Sequence, residues 1–132
     1  MLKHIQTVGV YVTDQQAAVD FYTTKLGFEL REDTPAGEDA RWIEVAPPGA
    51  QTTLCLTPAS FETHSEDKVG VYTGMSWAVD DIKELHKTLS DRGVQFKNEP
   101  QLMPYGKWFA SFVDQDGNEY FVHADAKPGE TA

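Results

Sequence analysis

The chain has 132 residues and a formal net charge of −10 at pH 7, with 40% hydrophobic and 24% charged residues. This composition is typical of one globular domain and excludes a disordered chain. The acidic balance disfavours nucleic acid and anionic membranes as partners, because a phosphate-binding surface needs a basic patch. No apolar run is long enough to span a membrane, and the strand-like start has no signal-peptide layout, so we expect a cytoplasmic protein. The single cysteine, Cys55, excludes an intrachain disulfide and a multi-cysteine zinc motif.

The first half of the chain predicts one strand, one helix and three further strands. Val8, Val10 and Val12 occupy alternate positions at the end of the segment Lys3–Val12, which is typical of a strand. Asp14 can cap the helix that follows, and Gly27 can close it. The buried stripe of this helix consists of Ala18, Phe21, Tyr22 and Leu26. The later strand candidates are Phe28–Asp33, Arg41–Ala46 and Thr52–Thr57.

The second half repeats this order. Asp80 or Asp81 can cap a helix with the apolar stripe Ile82, Leu85 and Leu89, and Gly93 can close it. The strand candidates are Gly74–Asp80, Val94–Asn98, Lys107–Asp114 and Glu119–Ala124, the last two joined by a turn at Asp116-Gly117-Asn118.

The two halves predict an α+β fold of two tandem βαβββ modules. We expect a single domain over residues 1–126, with modules at about 3–57 and 74–124, a polar linker at 58–73 and a frayed tail at 127–132. In each module the helix would cover the aliphatic face of a curved mixed sheet. The opposite faces would then line a cavity.

Three sequence segments resemble the vicinal oxygen chelate superfamily, which includes glyoxalases, bleomycin resistance proteins and dioxygenases. They are Val10-Tyr11-Val12-Thr13-Asp14, Phe21-Tyr22 with Leu26-Gly27-Phe28, and Phe112-Val113-Asp114-Gln115-Asp116-Gly117-Asn118-Glu119. The resemblance covers residues 3–124 and implies the glyoxalase/bleomycin-resistance fold. It does not specify a chemistry, because this fold supports lyases, oxygenases and pure binding proteins.

Enzymes of this superfamily place metal ligands, usually His or Glu, at four positions facing the cavity. By the resemblance these positions fall on Thr7, Cys55, Gly74 (or Thr73) and Phe121. A divalent ion needs several N, O or S ligands in one shell, and here only the thiol of Cys55 could serve. We therefore expect no metal and no other cofactor.

A metal site rebuilt from Glu44, Cys55 and His123 remains an alternative. Glu44 shares a strand face with Trp42, and a carboxylate beside a large aromatic ring could act as a general base or bind a cation. The simpler interpretation of Glu44 is a surface ion pair with Arg41 or a lysine. Cys55, between two leucines, has the pattern of a buried thiol.

The segment Tyr105-Gly106-Lys107-Trp108 could form a lid over the cavity, or it could be a turn whose rings pack on the sheet. Trp77 shares the parity of Val79, which predicts a place in the helix-covered core. His64 lies in an acidic, solvated stretch and His86 beside a buried helical stripe, so neither is expected to carry chemistry.

The leading functional hypothesis is a metal-independent small-molecule binding protein, such as one that sequesters an antibiotic, with acidic walls that favour cationic ligands. The alternative is a metal-dependent glyoxalase-like lyase or isomerase, or an extradiol-type dioxygenase, with Glu44 as base. A third hypothesis is an accessory or regulatory module that uses the same fold. The resemblance also implies a homodimer. The candidate ligand-binding residues are Thr7, Tyr11, Trp42, Glu44, Cys55, Tyr105, Phe121 and His123.

Overall fold

The computed structural model describes all 132 residues and begins with β1 (Thr7–Tyr11) and α1 (Gln15–Asp20). The later elements are β2 (Glu29–Pro35), β3 (Arg41–Ala46), β4 (Thr53–Thr57), β5 (Tyr72–Ala78), α2 (Ile82–Asp91), β6 (Gln95–Phe96), β7 (Gln101–Leu102), β8 (Lys107–Val113) and β9 (Glu119–Asp125). The predicted α+β class is confirmed. No helix combines the length and apolar character needed to span a bilayer.

The chain forms two compact units, residues 1–71 with 115–118 and residues 72–114 with 119–132. The first unit holds a mixed sheet in the order β1-β4-β3-β2, in which β1 is parallel to β4. The second holds a mixed sheet in the order β5-β9-β8-β6, in which β5 is parallel to β9 and β7 also pairs with β8. The sequence predicts one strand at Val94–Asn98, of which β6 forms only two residues, and it does not predict β7. Pro100, which has no N–H for a ladder, lies between these two short strands.

Both helices begin as the sequence predicts. Asp14 accepts a 2.9 Å hydrogen bond from the Ala17 amide, and Asp81 accepts a 3.0 Å bond from the Glu84 amide. These carboxylates satisfy amides that have no partner within the helix. Gly93 adopts a φ of 90° just after α2, a conformation that closes a helix without steric strain.

The first helix differs from the regular helix that the stripe predicts. After α1 the chain widens into a π-helical turn at Phe21–Lys25, where the Leu26 amide donates to the Phe21 carbonyl at 3.3 Å. The Thr23 hydroxyl donates a 2.7 Å bond back to the Val19 carbonyl. A hydroxyl that competes for a helical carbonyl in this way bends a helix, which a pattern of apolar residues does not reveal.

Each helix covers the aliphatic face of its own sheet. In the first unit α1 packs on β3 and β4, where Ile43, Val45, Leu54 and Leu56 are fully or almost fully buried. In the second unit α2 packs on β8 and β9. Trp77 lies on this helix-covered side, with its ring 5.8 Å from that of Tyr120, as predicted. Because side chains alternate along a strand, the other face of each sheet carries a different set of residues.

The turn between β8 and β9 is held within the first unit. Asn118 is 1% exposed, donates a 3.0 Å bond to the Tyr11 carbonyl and accepts a 2.8 Å bond from the Gly70 amide. Asp116 accepts bonds from the amide and hydroxyl of Thr13 at 3.1 and 2.6 Å. The Asp-Gly-Asn motif therefore stabilises the fold here, which is a structural role.

The tail that the sequence predicts to fray makes contacts in the second unit. Glu130 accepts a 3.1 Å hydrogen bond from the indole nitrogen of Trp108 and a 2.5 Å bond from the Lys127 amide. The ammonium group of Lys83 lies 4.6 Å from the centre of the same indole ring. Trp108 is thus held between a helix side chain and the tail, whereas Tyr105, Gly106 and Lys107 of the same segment are exposed.

Candidate functional site

Glu44 is the one carboxylate among the candidate residues, and it is buried, at 8% exposure. Its Oε2 accepts a 2.7 Å hydrogen bond from the indole nitrogen of Trp42, and its Oε1 accepts a 2.5 Å bond from the hydroxyl of Thr53. Trp42 precedes Glu44 by two positions on β3, so both lie on the sheet face away from α1. Arg41 pairs with Asp33 at 2.7 Å, so the surface ion pair considered for Glu44 does not form.

Burial raises the pKa of Glu44, but hydrogen bonds, chiefly from Thr53 and Trp42, outweigh that effect and leave the pKa below its usual value. This carboxyl group therefore lacks the raised pKa that would suit a general base. A buried carboxylate with donors on both oxygens is stabilised as an anion. Glu44 in this geometry is an acceptor and a local negative charge.

Cys55 lies opposite Glu44 in the β3–β4 register and opposite Gly9 in the β1–β4 register. It is a buried free cysteine, as its sequence context predicts. Burial raises the pKa of its thiol, hydrogen bonds from Thr57 and the Ile43 backbone lower it, and the charges of Glu44 and Glu32 raise it further; the net effect is a higher pKa. A higher pKa makes this thiol less nucleophilic at neutral pH.

The residues at the four positions assigned by the resemblance do not fit a divalent ion. Thr7 and Cys55 provide a hydroxyl and a protonated thiol on the first sheet, and Gly74 and Phe121 provide no donor side chain on the second. Of the rebuilt set, Glu44 and Cys55 lie in the first unit, whereas His123 lies in the second. No group of three or more His, Cys, Asp or Glu side chains is arranged to hold a metal ion.

A short segment after β4 covers part of the polar face of the first sheet. Phe61 stacks on Trp42 with ring centres 6.0 Å apart and planes inclined by 21°. His64 packs its edge on Tyr11 at 5.7 Å, and the ammonium group of Lys68 lies 5.0 Å from the centre of the Tyr11 ring. His64 is half-buried, which differs from the solvated histidine that its acidic neighbours predict. Apart from the single phenylalanine, Phe61, nothing in the sequence of this segment predicted that it covers the sheet.

The second sheet carries a cluster of rings on its face away from α2. Tyr72 and Phe121 stack with centres 4.2 Å apart, and Phe109 meets Phe121 edge-on at 4.9 Å. His123 lies next along β9, 5.5 Å from Phe109, and Tyr105 lies 6.5 Å from His123. We call these five rings the aromatic face. Tyr105, Phe121 and His123 were predicted from the sequence as ligand-binding residues, whereas Tyr72 and Phe109 were not. The alternation of side chains along β5 and β8 could have placed these two rings on the same face.

The imidazole of His123 is oriented by a neighbouring serine. The Oγ of Ser76 lies 2.5 Å from Nδ1 of His123, and Ser76 is itself exposed. The two residues come from the parallel pair β5 and β9, where Ser76 is opposite Phe121. The contact therefore depends on a strand register that brings together positions 47 residues apart. Sequence reasoning did not single out Ser76.

The carboxylates on the aromatic side of the second sheet are paired with lysines. Lys97 lies 3.1 Å from Glu119, which also accepts a 2.5 Å bond from Ser111, and Lys107 pairs with Asp125. A cleft of about 390 Å³ opens beside His123, and its charged lining residues are Asp80, Lys107 and Asp125. Lys107 pairs with Asp125, whereas Asp80 forms no ion pair.

The comparisons with known proteins agree with this architecture. The sequence profile of the Glyoxalase/Bleomycin resistance protein/Dioxygenase superfamily matches residues 2–120. The protein YetH of Bacillus subtilis is 39% identical over 122 residues, which are 92% of this chain and 98% of that protein. A superfamily member from Sphaerobacter thermophilus has 39% identity and a TM-score of 0.85, over 94% of this chain and 98% of that one. TnmS3 from a Streptomyces species, described as an antibiotic binding protein, has 35% identity and a TM-score of 0.81, over 95% and 98%.

Proposed function

Because the chain belongs to the glyoxalase/bleomycin resistance protein/dioxygenase superfamily, we propose that it is a small-molecule binding protein of that superfamily which holds its ligand without a metal ion and without altering it. The observation that carries the proposal is the aromatic face. The ring of Phe121 contacts the rings of both Tyr72 and Phe109 on the sheet side that α2 leaves uncovered. Such a surface offers stacking area to a flat organic molecule.

Two further observations support binding over catalysis. The lowered pKa of Glu44 makes this carboxylate a weaker base than an ordinary one, and both of its oxygens already accept hydrogen bonds. The description of TnmS3 as an antibiotic binding protein supports an antibiotic-sequestering role for this chain as well.

The test is calorimetric titration of the protein with a panel of planar aromatic compounds and cationic antibiotics, followed by mass spectrometry of the recovered ligand. We expect saturable binding of at least one planar compound, recovered with its mass unchanged. Replacing Phe121 with Ala should weaken that binding about three- to tenfold. The matched control is Ile5→Ala, which removes a side chain of 65% exposure from the segment before β1, outside the aromatic face. Absence of any saturable binding, or conversion of the compound, would contradict the proposal.

We also propose that two copies of the chain associate. The edge strand β2 is exposed along its whole length and pairs on one side only, with β3, which leaves its other edge available to a second strand. Light scattering should give twice the 14.7 kDa of one chain. A mass of one chain at micromolar concentration would exclude the dimer.

A further inference from the structure

The hydrogen bond between Ser76 and His123 determines which part of the imidazole is available to a ligand. The 2.5 Å contact with Ser76 occupies Nδ1, whichever of the two atoms carries the proton. When Ser76 is the donor, the proton of the neutral ring lies on Nε2, and this arrangement is part of the inference. No side chain or backbone group of the chain accepts a hydrogen bond from Nε2, so this N–H is a free donor beside the rings of Phe109 and Phe121.

The charged groups around His123 do not select the charge of the ligand. Asp125 pairs with Lys107 and Glu119 pairs with Lys97, whereas Asp80, which also lines the cleft beside His123, forms no ion pair. Selection of a ligand at this site therefore rests on the rings and on the imidazole of His123.

We propose that the aromatic face binds a planar aromatic molecule and that Nε2–H of His123 donates a hydrogen bond to an acceptor oxygen of that molecule, with Ser76 as the positioning residue. The inference rests on the proposed binding function and names its ligand class. The rings provide stacking area, and His123 provides selectivity for a molecule with an oxygen acceptor. A molecule without that oxygen leaves the N–H donor of His123 unpaired, which weakens its binding.

A matched pair of probes tests this assignment. 9-Fluorenone and fluorene have the same fused-ring outline, but only fluorenone carries a carbonyl oxygen. We expect the protein to bind fluorenone about two- to tenfold more tightly than fluorene, measured by quenching of tryptophan fluorescence. The variant His123→Phe keeps a ring at this position and should remove the preference while both probes still bind.

The variants of Ser76 separate positioning from structural support. Ser76→Ala should reduce the fluorenone preference and leave fluorene affinity unchanged, and Ser76→Thr, which keeps the hydroxyl, should restore the preference. Equal affinity of the wild-type protein for the two probes, or an undiminished preference in His123→Phe, would overturn the inference and leave the proposed binding function standing. Failure of both probes and of the whole panel to bind would overturn both.

Discussion

Trp42 and Glu44 are joined by a 2.7 Å hydrogen bond from the indole nitrogen to the carboxylate, two positions apart on β3. Positions two apart on a strand face the same side, so the contact is local in sequence and needs no distant partner. It holds the carboxylate as a buried anion. The first unit therefore contains a fixed negative charge whose removal or protonation has measurable consequences.

Replacing Glu44 with Gln should lower the free energy of unfolding by about 2 kcal/mol, because hydrogen bonds to a buried charged group contribute about 1.5–3 kcal/mol. The amide keeps the size of the side chain, but its NH₂ group faces the donors Trp42 and Thr53. Urea denaturation at pH 7 measures the change. Glu62→Gln, at an exposed position, should shift stability by less than ~0.5 kcal/mol and serves as the control. Equal stability of the two variants would contradict the role given to Glu44.

The Trp42–Glu44 bond should also appear as an energetic coupling. Trp42→Phe keeps a ring that can stack on Phe61 but removes the indole donor. Combined with Glu44→Gln in a double-mutant cycle, it should give a coupling of about 1 kcal/mol. The same Trp42 variant combined with Glu62→Gln should be additive. Additivity in both cycles would show that the bond does not contribute to stability.

Stability should decrease in acid as the paired carboxylates become protonated. The pKa of Glu119 is lowered chiefly by the Ser111 hydroxyl and further by Lys97, and that of Glu44 is lowered by its hydrogen bonds despite burial. A folded pKa below the unfolded value of about 4.5 means that the stabilisation is complete above this pH and is lost as pH falls through the folded pKa. Denaturation between pH 7 and 3 measures this loss.

The same pH series in Glu44→Gln should show a smaller decrease than in the wild-type protein, because one of the responsible groups no longer titrates. Glu62→Gln should keep the wild-type slope. A profile that is flat down to pH 3, or that is unchanged in Glu44→Gln, would mean that this carboxyl has the same pKa in the folded and unfolded chain.

Removing residues 127–132 should make Trp108 more accessible. The tail supplies Glu130, which accepts the hydrogen bond from the Trp108 indole. Acrylamide quenching of tryptophan fluorescence should increase in the shortened chain. A shortened chain that also carries Trp108→Phe should lose this increase, which assigns it to Trp108 among the three tryptophans. Identical quenching with and without the tail would show that the tail does not cover this ring in solution.

Protein purified without chelator should contain no stoichiometric divalent metal by elemental mass spectrometry. Incubation with zinc, nickel, manganese or ferrous iron should leave its melting temperature unchanged, because a metal bound only by the folded state would raise it. One equivalent of tightly bound metal would contradict the metal-free proposal. The variants Glu44→Gln, Cys55→Ser and His123→Ala would then identify its ligands.

Local patterns were sufficient to predict most of the fold. Alternation along Arg41–Ala46 predicted the strand with its bounds and put Trp42 and Glu44 on one face. Helical spacing and the candidate caps, Asp14 for the first helix and Asp80 or Asp81 for the second, predicted where both helices begin, and the structure identifies Asp81 as the second cap. These features depend on neighbours within a few residues, which is why they can be read from the chain alone.

The chemistry of the candidate site was decided by the tertiary structure. The lowered pKa of Glu44 depends on Thr53, a residue of the next strand, and the orientation of His123 depends on Ser76, which lies 47 residues away. The net charge predicted acidic walls, but the pairing of Lys97 with Glu119 neutralises one of them locally. Hydrogen bonds and ion pairs of this kind need a specific register between strands that are distant in sequence. Composition and periodicity carry no information about that register, so the sequence determined the two sheets and their faces, and only the folded chain determined what those faces can bind.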